Sequence, residues 1–146
     1  MTISALVDDG VLKTWLADSA SARQLGIQPT GHAVRGAGGP PGAGPSNLYL
    51  APGSRSRDEL LAAFPEAVLV TELIGQGVNG VTGDYSRGAS GFRIVNGEIA
   101  GPVAEFTVAG HLIDMFKALT PANDMEWHRA VNVPTIRVDG MTVAGD

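Results

Sequence analysis

The sequence predicts an α+β fold, an antiparallel β-sheet or partial barrel built from hairpins, with short helices packed on it. Three observations carry this expectation. Asn96-Gly97 separates the strand-like runs Gly91–Val95 and Glu98–Ala100, and a type I′ turn needs positive φ at both central residues, which this dipeptide tolerates. Asp-Gly steps at Asp9-Gly10 and Asp139-Gly140 are likewise flanked by strand-like runs. Short segments with capping residues lie between these units, an order that argues for α+β rather than a doubly wound sheet.

Taken in order, Ile3–Val7 and Val11–Leu16 flank Asp8-Asp9-Gly10 and predict a first hairpin. Asp18 or Ser19 caps a short helix through Ala20, Ala22, Arg23 and Leu25, which Gly26 stops. Residues 30–46, TGHAVRGAGGPPGAGPS, are too rich in glycine and proline for a regular element and predict a mobile loop. Asn47–Leu50 reads as a strand ended by Pro52-Gly53. Ser56-x-x-Glu59 is a capping box before Leu60 and Leu61, so a helix begins near Arg57 and ends before Pro65. The apolar run Ala67–Leu73 predicts a buried strand. Val103–Val108 extends the sheet of the Asn96-Gly97 hairpin with alternating faces. Leu112, Ile113, Met115, Phe116 and Leu119 follow helical spacing until Pro121. Thr135–Ala144 predicts a last hairpin around Asp139-Gly140. Of the aromatic residues, all but Tyr85 and Trp127 are expected in the core.

A chain of 146 residues with 44% hydrophobic content fits one domain with its own core, spanning 1–146. Net charge is −5, and the ten basic residues never cluster, which argues against nucleic-acid binding. Cysteine is absent, which removes disulfides, thiolate metal sites and cysteine nucleophiles together. No apolar run approaches the length of a membrane span, and Met1 is followed by no signal-like segment, so a soluble cytoplasmic protein is expected.

The stretch Glu72–Gly91, ELIGQGVNGVTGDYSRGASG, has glycine at 75, 77, 80, 83, 88 and 91 and predicts a shaped loop. Gly75-x-Gly77-x-x-Gly80 has the spacing of a dinucleotide fingerprint. That motif needs a helix opening at the glycines, and Val81-Thr82-Gly83-Asp84-Tyr85 follows instead. Asp84, Ser86 and Arg87 form its most polar knot, with an internal Asp84–Arg87 pair as the ordinary expectation. No histidine accompanies Ser86 in a hydrolase-like pattern. The candidate contact residues for a peptide or partner are Gly75, Gly77, Gly80, Gly83, Asp84, Ser86, Arg87 and Gly88, together with Asn47. A glycine loop beside a strand edge suits β-addition. His32, His111 and His128 are too far apart for two metal ligands one helical turn apart, and none has a neighbouring glutamate as base.

Several segments, in order, are similar to the carboxy-terminal part of the TldD/PmbA family, once described as modulators of DNA gyrase. They are Gly10–Thr14, Ser21–Gly26, Ser46–Leu50, Gly83–Phe92 (GDYSRGASGF), Asn96–Ile99, Ala122–Asp124 and Gly140–Gly145. The Gly83–Phe92 stretch most resembles the PmbA/TldE branch. The resemblance implies a cytoplasmic metallopeptidase system, a TldD–TldE heterodimer that cuts unstructured peptides in peptide maturation. The metal, zinc, is implied to lie only in the TldD-type partner, held by an HExxxH helix that this chain lacks, so this chain alone is expected to be inactive. The alternative is a non-catalytic binding or scaffold module independent of proteolysis. Family members are longer, so the chain corresponds to a separated domain or a shortened homologue, whose uncovered edges imply self-association as a homo-oligomer.

Overall fold

The structure, a computed structural model, describes residues 4–145; Ile3 of the first predicted strand lies outside them. In chain order the elements are β1 (Val7–Asp8), β2 (Val11–Leu12), α1 (Ser19–Leu25), β3 (Ala33–Val34), β4 (Gly42–Ala43), β5 (Leu48–Tyr49), α2 (Arg57–Leu61), β6 (Glu66–Ile74), β7 (Asp84–Val95), β8 (Glu98–His111), α3 (Leu112–Lys117), β9 (Leu119–Pro121), β10 (Val131–Asn132), β11 (Ile136–Val138) and β12 (Thr142–Ala144). The architecture is α+β with antiparallel pairing in its sheets. Among the described residues no helix is long and apolar enough to cross a membrane. The chain forms two compact units, one of residues up to Tyr49 with His128–Val131, the other of Leu50–Trp127 with residues from Asn132 onward.

In the first unit, Asp9 (φ 49°) and Gly10 (φ 72°) make the two-residue turn that the sequence predicts between β1 and β2. The ladder is short, pairing Val7 with Leu12 and Asp8 with Val11. Helix α1 is capped by Asp18, whose carboxylate accepts from the Ser21 amide at 2.7 Å and from the Ser21 hydroxyl. Gly26, at φ 68°, ends it in the left-handed conformation, and the Ile27 amide returns to the Ala22 carbonyl at 3.0 Å. Within residues 30–46, β3 and β4 pair Ala33 with Ala43 and Val34 with Gly42, so that segment does hold a short ladder.

In the second unit, four strands make one open sheet in the order β12-β8-β7-β6. Asn96 (φ 50°) and Gly97 (φ 85°) close the β7–β8 hairpin with Val95 opposite Glu98. Its tip lies beside Ala62 at the end of α2, and the Asn96 amide donates to the Pro65 carbonyl at 2.8 Å. Helix α2 has the predicted reciprocal cap: the Ser56 amide donates to Glu59 Oε2 at 2.6 Å and the Glu59 amide to Ser56 Oγ at 3.2 Å. Ala89, Phe106 and Val108 form the buried cluster of the sheet, flanked by Val68, Val70, Tyr85, Val103 and Met141.

Several expectations are corrected. The glycine-rich run is loop only between β6 and β7; from Asp84 it is the inner strand β7. Glycine serves there through close approach, since a Cβ on Gly91 would lie 1.9 Å from the Leu69 carbonyl oxygen beside a bulge in each ladder. Strand β6 is a half-exposed edge rather than a buried strand. Helix α3 stops at Lys117, and Leu119 belongs to β9, which pairs with β11. Asp139-Gly140 is a turn, with Gly140 at φ 77°, but β11 pairs with β9 and β12 with β8, so no hairpin forms there. Among the aromatic residues expected inside, Phe106 is buried, whereas Trp15, Tyr49, Phe64 and Phe116 are exposed. Tyr85, expected outside, packs on the core.

Two predictions follow from this packing. Gly91→Ala lowers unfolding stability in denaturant by more than about 2 kcal/mol, whereas Gly80→Ala, where nothing lies within 4 Å, stays within about 0.5 kcal/mol. The second concerns acid. Hydrogen bonds from Thr135 hold the Asp124 carboxyl below its ordinary value of 3.8, through its hydroxyl at 2.7 Å and its amide at 2.8 Å. A carboxyl depressed in the folded state contributes stability above pH 3.8 and loses it as pH falls through the lower folded value. Asp124→Asn therefore flattens the fall of stability on acidification below that pH, measured by denaturant midpoints across an acid series.

Candidate functional site

The sequence singles out the glycine run, and the structure resolves it into a tight loop, residues 75–83, joining β6 to β7. Gly75 turns out of β6 at φ 80°. Gly77 then lies against β7: the Ser86 amide donates to its carbonyl at 2.8 Å, and a Cβ there would come 1.5 Å from the Ser86 carbonyl oxygen. Only glycine fits. Val78 bridges Tyr85, and the Asn79 amide donates to the Asp84 carbonyl at 2.9 Å. The Asn79 side-chain oxygen accepts from the Val81 and Thr82 amides at 3.0 and 3.2 Å, closing the tip on itself. This internal closure leaves Val81 96% exposed and Val78 57% exposed.

Two side chains from the sheet flank this loop, one bonded to the strand that leads into it and one to its last turn. Arg87 shares a face of β7 with Tyr85 and Ala89, and its Nη2 donates to the Leu73 carbonyl at 3.1 Å. Its Cγ is 2.9 Å from the position a Cβ on Gly77 would take. His111, at the end of β8, places Nε2 3.0 Å from the Thr82 carbonyl. A carbonyl only accepts, so Nε2 carries the proton. The imidazole lies over Gly83 (φ 85°), where a Cβ would meet Nε2 at 2.6 Å, and the Leu112 amide donates to the Gly83 carbonyl at 2.8 Å. His111 precedes α3 without capping it through its side chain.

The expected Asp84–Arg87 pair does not form. Residues three apart on a strand point to opposite faces, so Asp84 instead accepts from the Thr82 hydroxyl at 2.6 Å while Arg87 faces the core side. Asp84 and Ser86 line a shallow concavity of about 280 Å³ with Gln76, Gly77, Val78 and Asn79. Gly80 and Gly83 stand in the same loop, and Gly88 sits opposite Ile74 within the ladder. Asn47 lies in the first unit, exposed, just before β5. Sequence reasoning missed Asn79, Val81 and the link from His111 to the loop. Asn79-Gly80 was the available signal, a turn dipeptide inside the run.

Histidine chemistry elsewhere is local. The Thr30 hydroxyl accepts from the Ala17 amide at 2.8 Å and gives its proton to the Ala17 carbonyl at 3.2 Å, so His32 Nδ1, 2.9 Å away, is the donor to Thr30. Among the described residues no group of three or more His, Cys, Asp or Glu side chains converges to hold a metal. His111 Nε2 is engaged by the Thr82 carbonyl and His32 Nδ1 by the Thr30 hydroxyl. The Gly75-x-Gly77-x-x-Gly80 loop leads into a strand, so no helix N-terminus is present to receive a pyrophosphate.

Residues 3–145 match the family described as PmbA/TldA metallopeptidase C-terminal domain. Metalloprotease PmbA of Escherichia coli O157:H7 is 41% identical over 141 residues, 96% of this chain and 29% of that protein. A Thermotoga maritima protein, a candidate modulator of a DNA gyrase, has a solved structure that matches with TM-score 0.82 at 35% identity, covering 95% of this chain and 32% of its own. TldE from Thermococcus kodakarensis matches with TM-score 0.84 at 22% identity, covering 96% of this chain and 33% of its own, and shares the fold. The chain thus spans roughly three tenths of the length of these relatives. With a family match running almost from end to end and the GDYSRGASGF stretch forming the loop exit and an inner strand of the sheet, the chain belongs to the PmbA/TldA metallopeptidase C-terminal domain family.

Proposed function

We propose that this chain is the carboxy-terminal domain of a PmbA/TldE-like subunit that works beside a TldD-type metallopeptidase subunit on unstructured peptides in the cytoplasm. In this reading the partner supplies the zinc site, and this chain supplies shaped surface. The family match over residues 3–145 carries the proposal. The geometry supports a surface role, because residues 75–83 form a locked loop with an apolar tip. A valine left 96% exposed gains no burial on folding and would gain it against a second protein.

Coexpression with an HExxxH-bearing TldD-type subunit, followed by affinity capture and size measurement, tests the pairing. The expected result is a stable heteromer that cleaves an unstructured peptide, with cleavage stopped by a chelator and absent from this chain alone. Chelator-sensitive cleavage by this chain alone overturns the assignment, and failure to form any heteromer returns the chain to a binding module separate from proteolysis. Within the heteromer, Val81→Asp weakens association at least about tenfold, equivalent to about 1.4 kcal/mol. Its unfolding midpoint stays unchanged, as expected of an exposed position.

A further inference from the structure

We infer that Arg87 and His111 are positioning residues that set the 75–83 loop in its docking shape before any partner arrives. The inference rests on the docking reading above for its purpose, but not for its geometry. Each residue supports one end of the loop from the sheet: Arg87 lies with its Cγ beside Gly77 and donates to the Leu73 carbonyl in β6, just before the loop, and His111 holds the Thr82 carbonyl on the β8 side. Neither grip touches Asn79, whose side-chain oxygen accepts from the Val81 and Thr82 amides and closes the tip. Four backbone hydrogen bonds lie beside the two grips, Ser86 to Gly77, Asn79 to Asp84, Gly83 to Asn79 and Leu112 to Gly83, at 2.8 to 2.9 Å. Arg87 was a candidate contact residue on sequence grounds. Its place on the face of Tyr85 and Ala89, with Nε buried, makes it a support instead. A loop ordered in advance spares the complex the entropy of ordering it on binding, so loosening either grip weakens association without removing a contact.

Amide hydrogen exchange on the free chain, paired with affinity for the TldD-type subunit, tests this. Wild type is expected to protect the Asn79, Gly83, Ser86 and Leu112 amides. Arg87→Met raises exchange at Ser86 and Asn79 at least tenfold, and His111→Leu does so at Gly83 and Leu112, while the Asn96 amide at the far hairpin is unchanged. Arg87→Lys and His111→Gln each retain a donor and restore protection in part. Affinity for the partner falls in step with lost protection. Unprotected loop amides in wild type, or exchange indifferent to these substitutions, overturn the inference. Loosened loops that bind the partner as tightly as wild type also overturn it, by separating the grips from docking. Absence of binding by wild type is a different result, which fails the docking reading and leaves the exchange measurement to judge the grips.

Discussion

The fold of the second unit depends on how closely β6 and β7 approach at Gly91. A carbonyl oxygen of β6 occupies the space that a side chain on that residue would fill. With the backbones in contact there, both ladders shift register nearby. The two ladders of β7 are thereby fixed against each other, and Tyr85, Ala89, Phe106 and Val108 are brought to one face as a common core. On the loop side of that shift, Tyr85, Arg87 and Ala89 share one face of β7 by strand alternation.

The same strand separates two tasks that the sequence mixes. Residues facing the core side, Tyr85 and Arg87, hold the loop and the cluster, while Asp84 and Ser86 face the shallow concavity beside the tip. The loop needs glycine at Gly77 and Gly83 because β7 and His111 occupy the neighbouring space, whereas Gly80 faces open surroundings. Contact surface and supporting framework are thus assigned to different residues within one short stretch.

What was legible in the sequence was local chemistry. Asn96-Gly97, Asp9-Gly10, the Ser56-x-x-Glu59 box and the Asp18 cap were readable because each signal is complete within four residues. Where the signal depends on a distant partner, reading failed. Asp139-Gly140 announces a change of direction but not which strands will be joined, and Leu119 keeps helical spacing while its backbone pairs with Val138. Glycine is equally ambiguous, marking positive φ at Gly83 and a close approach at Gly91. The candidate site was found as a stretch, but its internal roles were not, since an Asp84–Arg87 pair looks natural until strand alternation puts the two on opposite faces. The aromatic residues misled for a related reason: spacing assigns a face, and whether that face is covered is a tertiary fact.

The sheet also carries an order of assembly. β6, β7 and β8 follow one another along the chain with short connections, so their pairings close small loops and are kinetically cheap. β12 reaches its place beside β8 only after α3, β9 and β11 have been laid down. During synthesis the meander can therefore consolidate early, while the flank of β8 stays open until the final strand is released, giving a nascent polypeptide one defined interval in which that flank is vulnerable to mispairing.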